Sequence, residues 1–197
     1  MQIVCSDLEG VFAPEIWINV SKKTGIDELK LTTRDISDYN LLMKRRLEIL
    51  KENNITLQDI QYVISTLKPM PGARDMLNWL RNRIQVVIVS DTFTEFAGPL
   101  MRQLDYPTIF CNSLVTDSNG MITDYKLRQP DGKRRVAEAL QSLNYKVIGI
   151  GDSYNDISML RQSDTGILFS PPENVMKENS DLKVARTYHE LKDFFNC

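Results

Sequence analysis

Three short apolar runs in this chain each lead into a group of small polar residues. The runs 3–5, 86–89 and 146–150 lead into Asp7 and Glu9, into Ser90, Asp91 and Thr92, and into Asp152 and Asp156. A continuous β-branched run such as 86–89 is typical of a strand buried on both faces of a parallel sheet. Amphipathic helix patterns separate the runs, and strands alternating with helices predict a doubly wound parallel α/β sheet. Because ligands bind outside the carboxyl ends of strands in such sheets, we expect these polar groups to meet at one edge.

The segment after the first run interrupts this alternation. Residues 14–68 carry helical patterns at 14–24, at 39–51 and from Thr56 onward, with no strand signal between them. Prolines and a glycine at 69–72 then break the pattern. We interpret residues 14–68 as an inserted helical cap over the active edge of an α/β core made of residues 1–13 and 69–197.

The rest of the chain returns to short elements of both kinds. The patterns predict helices at 73–80, 93–104, 136–143 and 153–161, and strands at 108–115, 121–125 and 165–169. Asn119-Gly120 predicts a hairpin that joins two of these strands. The order Thr187 to Glu190 is typical of a capping box, which predicts a last helix.

Composition excludes several classes of function. A formal net charge of −2 over 197 residues provides no basic field for nucleic acid. No apolar run approaches the length of a membrane span, and the N-terminus lacks a signal-peptide pattern. The cysteines, Cys5, Cys111 and Cys197, are odd in number and widely spaced, which favours neither a disulfide framework nor a zinc site. We expect a reduced cytoplasmic compartment, core positions for Cys5 and Cys111, and a surface position for His189.

The acidic residues suggest phosphoryl transfer. Asp7 and Glu9 repel each other unless a cation or a shared proton holds them, and carboxylates that face one point suit Mg²⁺. A metal ion there would neutralise a phosphate so that an anionic nucleophile could approach it. Asp7 would then attack and form an aspartyl-phosphate. Glu9 would protonate the leaving oxygen and later deprotonate the acceptor, which requires a raised pKa.

The other polar groups suit a phosphate as well. Ser90 or Thr92 would hold phosphate oxygens, and Lys133 would stabilise the charge of the transition state. Each also has a structural alternative, since residues 90–92 resemble a helix cap and Lys133 lies in a charged run typical of a solvated face. An acid directly after a buried strand, with Asp156 four residues on, is harder to explain as an ordinary loop. Together, in this order and at strand ends, they favour a phosphoryl-transfer site.

The segments that contain these residues resemble the motifs of a known family. The Asp7–Val11 segment, the strand end at Ser90, Lys133 and the Gly151–Asp156 segment are similar to the four motifs of the haloacid dehalogenase superfamily. Within it, the chain resembles the phosphoserine phosphatases, and most of all the branch that also transfers phosphate from phosphoserine to homoserine. Similarity to that branch extends to residues 14–17, 33–36 and 90–93. The resemblance implies a Rossmann-like core, an inserted helical cap and Mg²⁺ as cofactor.

The resemblance also implies roles for single residues. Asp7 would be the nucleophile and a metal ligand, and Glu9 the acid/base with its backbone carbonyl on the metal. Asp152 would be the second side-chain ligand, with Asp156 supporting it. Phosphate or substrate would contact Ser90, Asp91, Thr92, Lys133 and Asn155. In the cap, Glu15 and Arg46 match positions that hold the amino and carboxylate groups of the substrate, although a solvated helix residue is the alternative for Arg46.

Two positions depart from the usual pattern. The superfamily usually has Asp where this chain has Glu9, and the extra methylene would favour an alcohol acceptor by slowing the activation of water. Typical phosphoserine phosphatases have glycine where this chain has Asp91, and the bifunctional branch shares both departures. The sequence leaves open a phosphatase for another small phosphomonoester, or a receiver-like module in which an aspartate is phosphorylated but not turned over. Apolar surface on the cap would be compatible with a homodimer.

Overall fold

A computed structural model describes residues 1–32, 35–36 and 38–195. Thr33 and Arg34, which belong to one stretch of the family resemblance, lie outside the described residues, as does Cys197. The described residues contain one mixed sheet of seven strands. The strands are β1 (Gln2–Ser6), β2 (Gln85–Phe93), β3 (Thr108–Thr116), β4 (Ile122–Lys126), β5 (Lys146–Gly151), β6 (Thr165–Phe169) and β7 (Lys183–Ala185).

Helices lie between the strands in the order expected for an α/β fold. They are α1 (Ile16–Thr24), α2 (Tyr39–Glu52), α3 (Leu57–Thr66), α4 (Ala73–Arg81), α5 (Thr94–Gln103), α6 (Gly132–Ser142), α7 (Ile157–Gln162), α8 (Glu173–Glu178) and α9 (Tyr188–Asp193). Short 3₁₀ helices occupy Asp27–Lys30 and Tyr154–Asp156. None of the helices in the described ranges is long and apolar enough to cross a membrane.

The strand order β4-β3-β2-β1-β5-β6-β7 places β1 between two parallel partners. Cys5 of β1 is in register with Val87 of β2 and with Gly149 of β5. The carboxyl ends of these three strands therefore lie side by side, and the polar groups that follow them share one edge. Among the described strands, only β4 runs antiparallel to its neighbour. The predicted doubly wound parallel sheet, with a hairpin at its edge, is thus confirmed.

The helices of residues 14–68 pack on the sheet through a continuous apolar cluster. Val20 of α1 and Ile60 of α3 belong to the same buried cluster as Val4 and Ile88 of the sheet. At the start of α3, the Thr56 hydroxyl accepts the Asp59 N–H at 3.3 Å and the Asp59 carboxylate accepts the Thr56 N–H at 2.8 Å, forming a complete capping box. The division into a cap of residues 14–68 and a core stays a prediction.

Several elements differ from the sequence prediction. Strand β2 continues to Phe93, where it pairs with Asn112 across a register shift, so α5 begins one residue later than expected. Helix α8 and strand β7 have six and three residues, too few to produce a periodic apolar pattern. The Thr187 hydroxyl caps α9, but the Glu190 carboxylate accepts the Arg186 N–H. His189 is exposed, as predicted.

Candidate active site

Asp7 follows β1 and is held from several sides. Its backbone N–H donates to the Ile150 carbonyl of β5 at 2.8 Å, which ties it to the neighbouring strand. Its Oδ1 accepts the Leu8 N–H at 2.7 Å, and its Oδ2 lies 2.8 Å from the Lys133 ammonium. The residue is 4% exposed. Burial raises the pKa of Asp7, and so do nearby Asp156 and Asp152, against the opposing effect of Lys133.

Lys133 lies in the first turn of α6 and is 3% exposed. Its ammonium contacts Asp7 Oδ2 and Asp156 Oδ1 at 2.8 Å each, and Asp91 Oδ2 at 3.5 Å. Burial alone would lower the pKa of Lys133, but the three carboxylates outweigh burial and raise that pKa well above its ordinary value. The alternative of a solvated charge is therefore wrong for Lys133.

Asp156 connects Lys133 to the turn that carries Asp152. While its Oδ1 accepts from Lys133, its Oδ2 accepts the backbone N–H groups of Asp152 and Ser153 at 3.0 and 3.1 Å. Asp156 is fully buried. These bonds fix the turn after β5 and thereby orient Asp152. The turn also needs Gly151, since a Cβ there would lie 2.3 Å from the Asp156 Cγ.

Three carboxylates form a cluster that suits a hard cation. Asp7, Asp152 and Asp156 each offer an oxygen atom, and these atoms all lie within 4.8 Å of one another. An all-oxygen donor set of this kind is the one Mg²⁺ prefers, and a divalent cation relieves the repulsion between the carboxylates. The residues present therefore fit the implied magnesium ion.

Gly10 allows the loop after β1 to approach this cluster. Its φ is +77°, in the left-handed region, and a Cβ on this residue would lie 2.3 Å from Cγ of Asp152. An L-residue would be strained by that backbone conformation and would also displace the Asp152 carboxylate. Gly10 therefore allows the backbone of this loop to lie directly against the Asp152 carboxylate.

Glu9 lies in the same loop and contacts the start of α1. Its Oε2 accepts the Ile16 N–H at 2.7 Å. Burial, followed by the repulsion of Glu15, raises the pKa of Glu9 to about 8, although the Ile16 N–H, Lys133 and Arg46 act in the opposite direction. The raised pKa that an acid/base requires is therefore supplied by the surroundings of this carboxyl.

The end of β2 supplies the next group. Ser90 and Thr92 are 6% and 5% exposed, and the Ser90 hydroxyl accepts the Thr92 N–H at 3.2 Å. The Asp91 carboxylate accepts from the Asn155 side-chain amide at 2.9 Å and faces Lys133. Helix α5 has Phe93 at its N-cap without a side-chain capping bond. The helix-cap alternative for residues 90–92 is therefore wrong.

Arg46 approaches from α2 on the other side. It is 6% exposed, its guanidinium lies 4.5 Å from the centre of the Trp17 ring, and its Nη2 donates to the Leu31 carbonyl at 2.7 Å. Its Nε is buried and has no hydrogen-bond partner within the described part of the chain. Burial lowers the pKa of Arg46 to about 10, against the opposing effects of Tyr39, Glu9 and Glu15. The alternative of a solvated helix residue is wrong for Arg46.

These residues surround one cavity of about 370 Å³. Nine of the residues predicted for the site line it: Asp7, Glu9, Glu15, Arg46, Ser90, Asp91, Thr92, Lys133 and Asn155. Asp152 and Asp156 adjoin it through the cluster with Asp7. The structure therefore brings all the predicted site residues together.

The sequence prediction missed other lining residues. Tyr39, Asn112 and Arg128 line the cavity, and Asn112 donates through its side-chain amide to the Asp91 carbonyl at 3.1 Å. Cys111, predicted for the core, is half-buried and lines the cavity as well. Cys111 and Asn112 lie on β3, Arg128 follows the hairpin, and Tyr39 is the first residue of α2. Cys5 is fully buried, as predicted.

Comparison with known proteins places the chain in a family. The model of the haloacid dehalogenase-like hydrolases matches residues 13–164. The chain belongs to the haloacid dehalogenase-like hydrolase family. This confirms the family resemblance seen in the motifs. The match begins after Asp7 and ends just before β6.

Two similar proteins match nearly the whole chain. A phosphoserine phosphatase of Pseudomonas syringae pv. tomato is 54% identical over 99% of this chain and 82% of the relative. A phosphoserine phosphatase named ThrH, of Pseudomonas aeruginosa, is 55% identical over 99% of this chain and 95% of the relative. A crystal structure of a phosphoserine phosphatase in its apo form superposes with a TM-score of 0.80 at 20% identity, covering 98% of each chain, which establishes the likeness of fold.

Proposed function

We propose that this chain is an Mg²⁺-dependent phosphoserine phosphatase that works through an aspartyl-phosphate and also passes the phosphate to homoserine. One observation carries the proposal: a single cavity holds the buried Asp7–Lys133 pair together with the carboxylate of Glu15 and the guanidinium of Arg46. A phosphorylated amino acid carries an anionic phosphate, an ammonium and a carboxylate, so it needs these groups in one place. The names of the relatives from both Pseudomonas species agree with this substrate.

The amino-acid end of the substrate would contact residues 14–68, which we take to be the cap. Arg46 presents a buried Nε without a partner in the described structure, and an unsatisfied buried donor is costly unless a ligand completes it. A substrate carboxylate is the acceptor that best matches a guanidinium. Glu15 lines the same cavity and would hold the ammonium group.

The phosphate end would lie against the sheet edge. Ser90, Thr92, Lys133 and Asn155 supply hydrogen-bond donors there. The Asp91 carboxylate now accepts from Asn155, and phosphate oxygens would take its place as the acceptor. Asp7 and Asp152, with the Glu9 carbonyl, would hold Mg²⁺, which when bound neutralises phosphate charge. Asp156 would keep Asp152 oriented through the backbone bond described above.

The reaction follows from these placements. An Asp7 carboxylate oxygen attacks phosphorus, the bond from phosphorus to the seryl oxygen breaks, and Glu9 gives its proton to that oxygen. Serine departs, leaving an acyl phosphate on Asp7. Glu9, now ionised, takes a proton from water or from the homoserine hydroxyl as that oxygen attacks phosphorus. Asp7 is regenerated, and phosphate or phosphohomoserine is released.

The test is ³¹P NMR of L-phosphoserine with enzyme and Mg²⁺, with and without homoserine. Phosphohomoserine in the second tube would support both activities, whereas inorganic phosphate alone in both tubes would refute the transfer. Untouched phosphoserine alongside turnover of p-nitrophenyl phosphate would show a phosphatase for another small phosphomonoester. A protein phosphorylated on Asp7 that releases nothing would favour the receiver-like alternative.

A further inference from the structure

The loop of residues 8–13, here called the acid loop, is closed by its own backbone. The Phe12 N–H donates to the Leu8 carbonyl at 2.8 Å. Glu9 belongs to this loop, and its carboxyl is held at the far side by the Ile16 N–H at 2.7 Å. The position of the Glu9 carboxyl therefore depends on where the whole loop lies relative to the sheet.

Two carbonyls of the acid loop are bonded from distant parts of the chain. The Tyr188 hydroxyl of α9 donates to the Val11 carbonyl at 2.5 Å. The Met70 N–H donates to the Phe12 carbonyl at 2.9 Å. Val11 and Phe12 are both fully buried, so water has no access to replace either donor. These two bonds anchor the acid loop from outside.

The Tyr188 ring is itself held rigidly. It stacks on Phe12 with ring centres 6.4 Å apart and an interplanar angle of 14°, and on Phe169 with 4.8 Å and 13°. Phe169 ends β6. The ring also packs against Gly72, where an added Cβ would lie 3.4 Å from it. The packing of the ring therefore sets the position of the hydroxyl next to the acid loop.

We propose that Tyr188 is a positioning residue for Glu9, acting through its hydroxyl on the Val11 carbonyl. The inference rests on the proposed function, in which Glu9 is the acid/base. Tyr188 lies beyond residue 164, where the match to the family model ends, so the family comparison does not assign it. Without the hydroxyl, the loop loses one of the two bonds that its carbonyls accept from distant parts of the chain, and Glu9 is less well aligned with the leaving oxygen.

The decisive variant is Tyr188→Phe, which keeps the stacked ring and removes only the donor. Proton donation by a general acid contributes about 10²–10⁴-fold, and we expect its partial misalignment to lower kcat/KM with phosphoserine about 10-fold. With p-nitrophenyl phosphate the expected loss is less than about twofold, since nitrophenolate leaves without a proton. In a Glu9→Gln background, Tyr188→Phe should cause no further loss of kcat/KM, because the effects of substitutions at two residues that act together do not add. Glu9→Gln keeps an oxygen for the Ile16 N–H.

Tyr125→Phe is the matched control. It also removes a hydroxyl that donates at 2.5 Å, here to the Asn40 side chain, at a site that does not line the cavity. Its kinetics should match wild type with both substrates. Equal losses with both substrates in Tyr188→Phe, or losses that multiply with those of Glu9→Gln, would overturn the proposal.

Hydrogen exchange tests the anchoring without reference to turnover. The Phe12 amide should exchange about 10-fold faster in Tyr188→Phe than in wild type or Tyr125→Phe, because local opening sets its protection. Unchanged exchange at Phe12 would overturn the proposal whatever the enzyme turns over. Failure of wild type to cleave phosphoserine would instead refute the proposed function, and the exchange result would still decide whether Tyr188 holds the loop.

Discussion

Replacing Gly10 with alanine should damage the active site far more than it damages the fold. Gly10 has φ +77°, and its added Cβ would lie 2.3 Å from Cγ of Asp152, where ordinary contacts begin at 3.4 Å. Asp152 must therefore move by about 1 Å, and a misplacement of that size in a catalytic constellation costs about 100-fold in rate. A 100-fold loss corresponds to about 2.7 kcal/mol of transition-state stabilisation.

Gly25 offers a matched control. It has φ +74°, and no atom of the described structure lies within 4 Å of the Cβ that alanine would add. Alanine at either glycine costs about 1–2 kcal/mol of folding stability, because both positions require the left-handed conformation. Gly25→Ala should keep full activity, so the comparison separates backbone strain from displacement of Asp152.

The assay is phosphate release over a Mg²⁺ titration, with urea unfolding measured in parallel. Gly10→Ala should lose about 100-fold in kcat/KM and need more Mg²⁺ for half-maximal rate, because Asp152 no longer meets the other carboxylates in place. Gly25→Ala should stay within about twofold of wild type, since strain alone does not move Asp152. If Gly10→Ala kept wild-type kinetics while losing the same stability as Gly25→Ala, the steric reasoning would fail.

Three further predictions follow from the buried groups. Asp7→Asn should abolish turnover while the far-UV and near-UV circular dichroism stay native, and undiminished phosphate release would refute Asp7 as the nucleophile. Lys133→Met leaves the carboxylates of Asp7 and Asp156 without a compensating charge. It should lower the free energy of unfolding in urea by about 3–5 kcal/mol without Mg²⁺, with part recovered when Mg²⁺ is added. An unchanged free energy of unfolding would contradict the charge argument. Burial raises the pKa of Cys5 from 9.0 to about 12, so its thiol ionises first in the unfolded chain and stability falls as the pH rises from 9 to 12. That loss is about 1.4 kcal/mol at pH 10, and Cys5→Ala should remove it from the difference in unfolding free energy between pH 8 and pH 10.

The catalytic edge of the sheet could be predicted because local sequence patterns mark the residues that form it. Each of the strands β1, β2 and β5 delivers its polar residues directly after an apolar run, and parallel topology then aligns the strand ends without knowledge of side-chain packing. The same rule fails for β3. Its pairing with β2 shifts register between Val89 and Phe93, so the positions of Cys111 and Asn112 over the cavity depend on an irregularity that has no periodic signature.

The orientation of polar side chains is another property that the local sequence pattern does not determine. The sequence predicted Asp91 as a site residue but not the partners of its carboxylate. In the structure that carboxylate accepts from Asn155, 64 residues away, and faces Lys133. Apolar periodicity reports which face of an element is buried, and it contains no information on which polar group meets another across the edge.

The bond from Tyr188 to Val11 spans 177 residues and illustrates the same limit more strongly. Near Tyr188, local sequence predicts only a helix start, and near Val11 only a loop after a strand. Their meeting depends on β6, which places Phe169 under the tyrosine ring, and on the order of all the strands between β1 and the chain end. A positioning residue so distant in sequence is therefore identified only from the folded structure, where its hydroxyl meets the Val11 carbonyl.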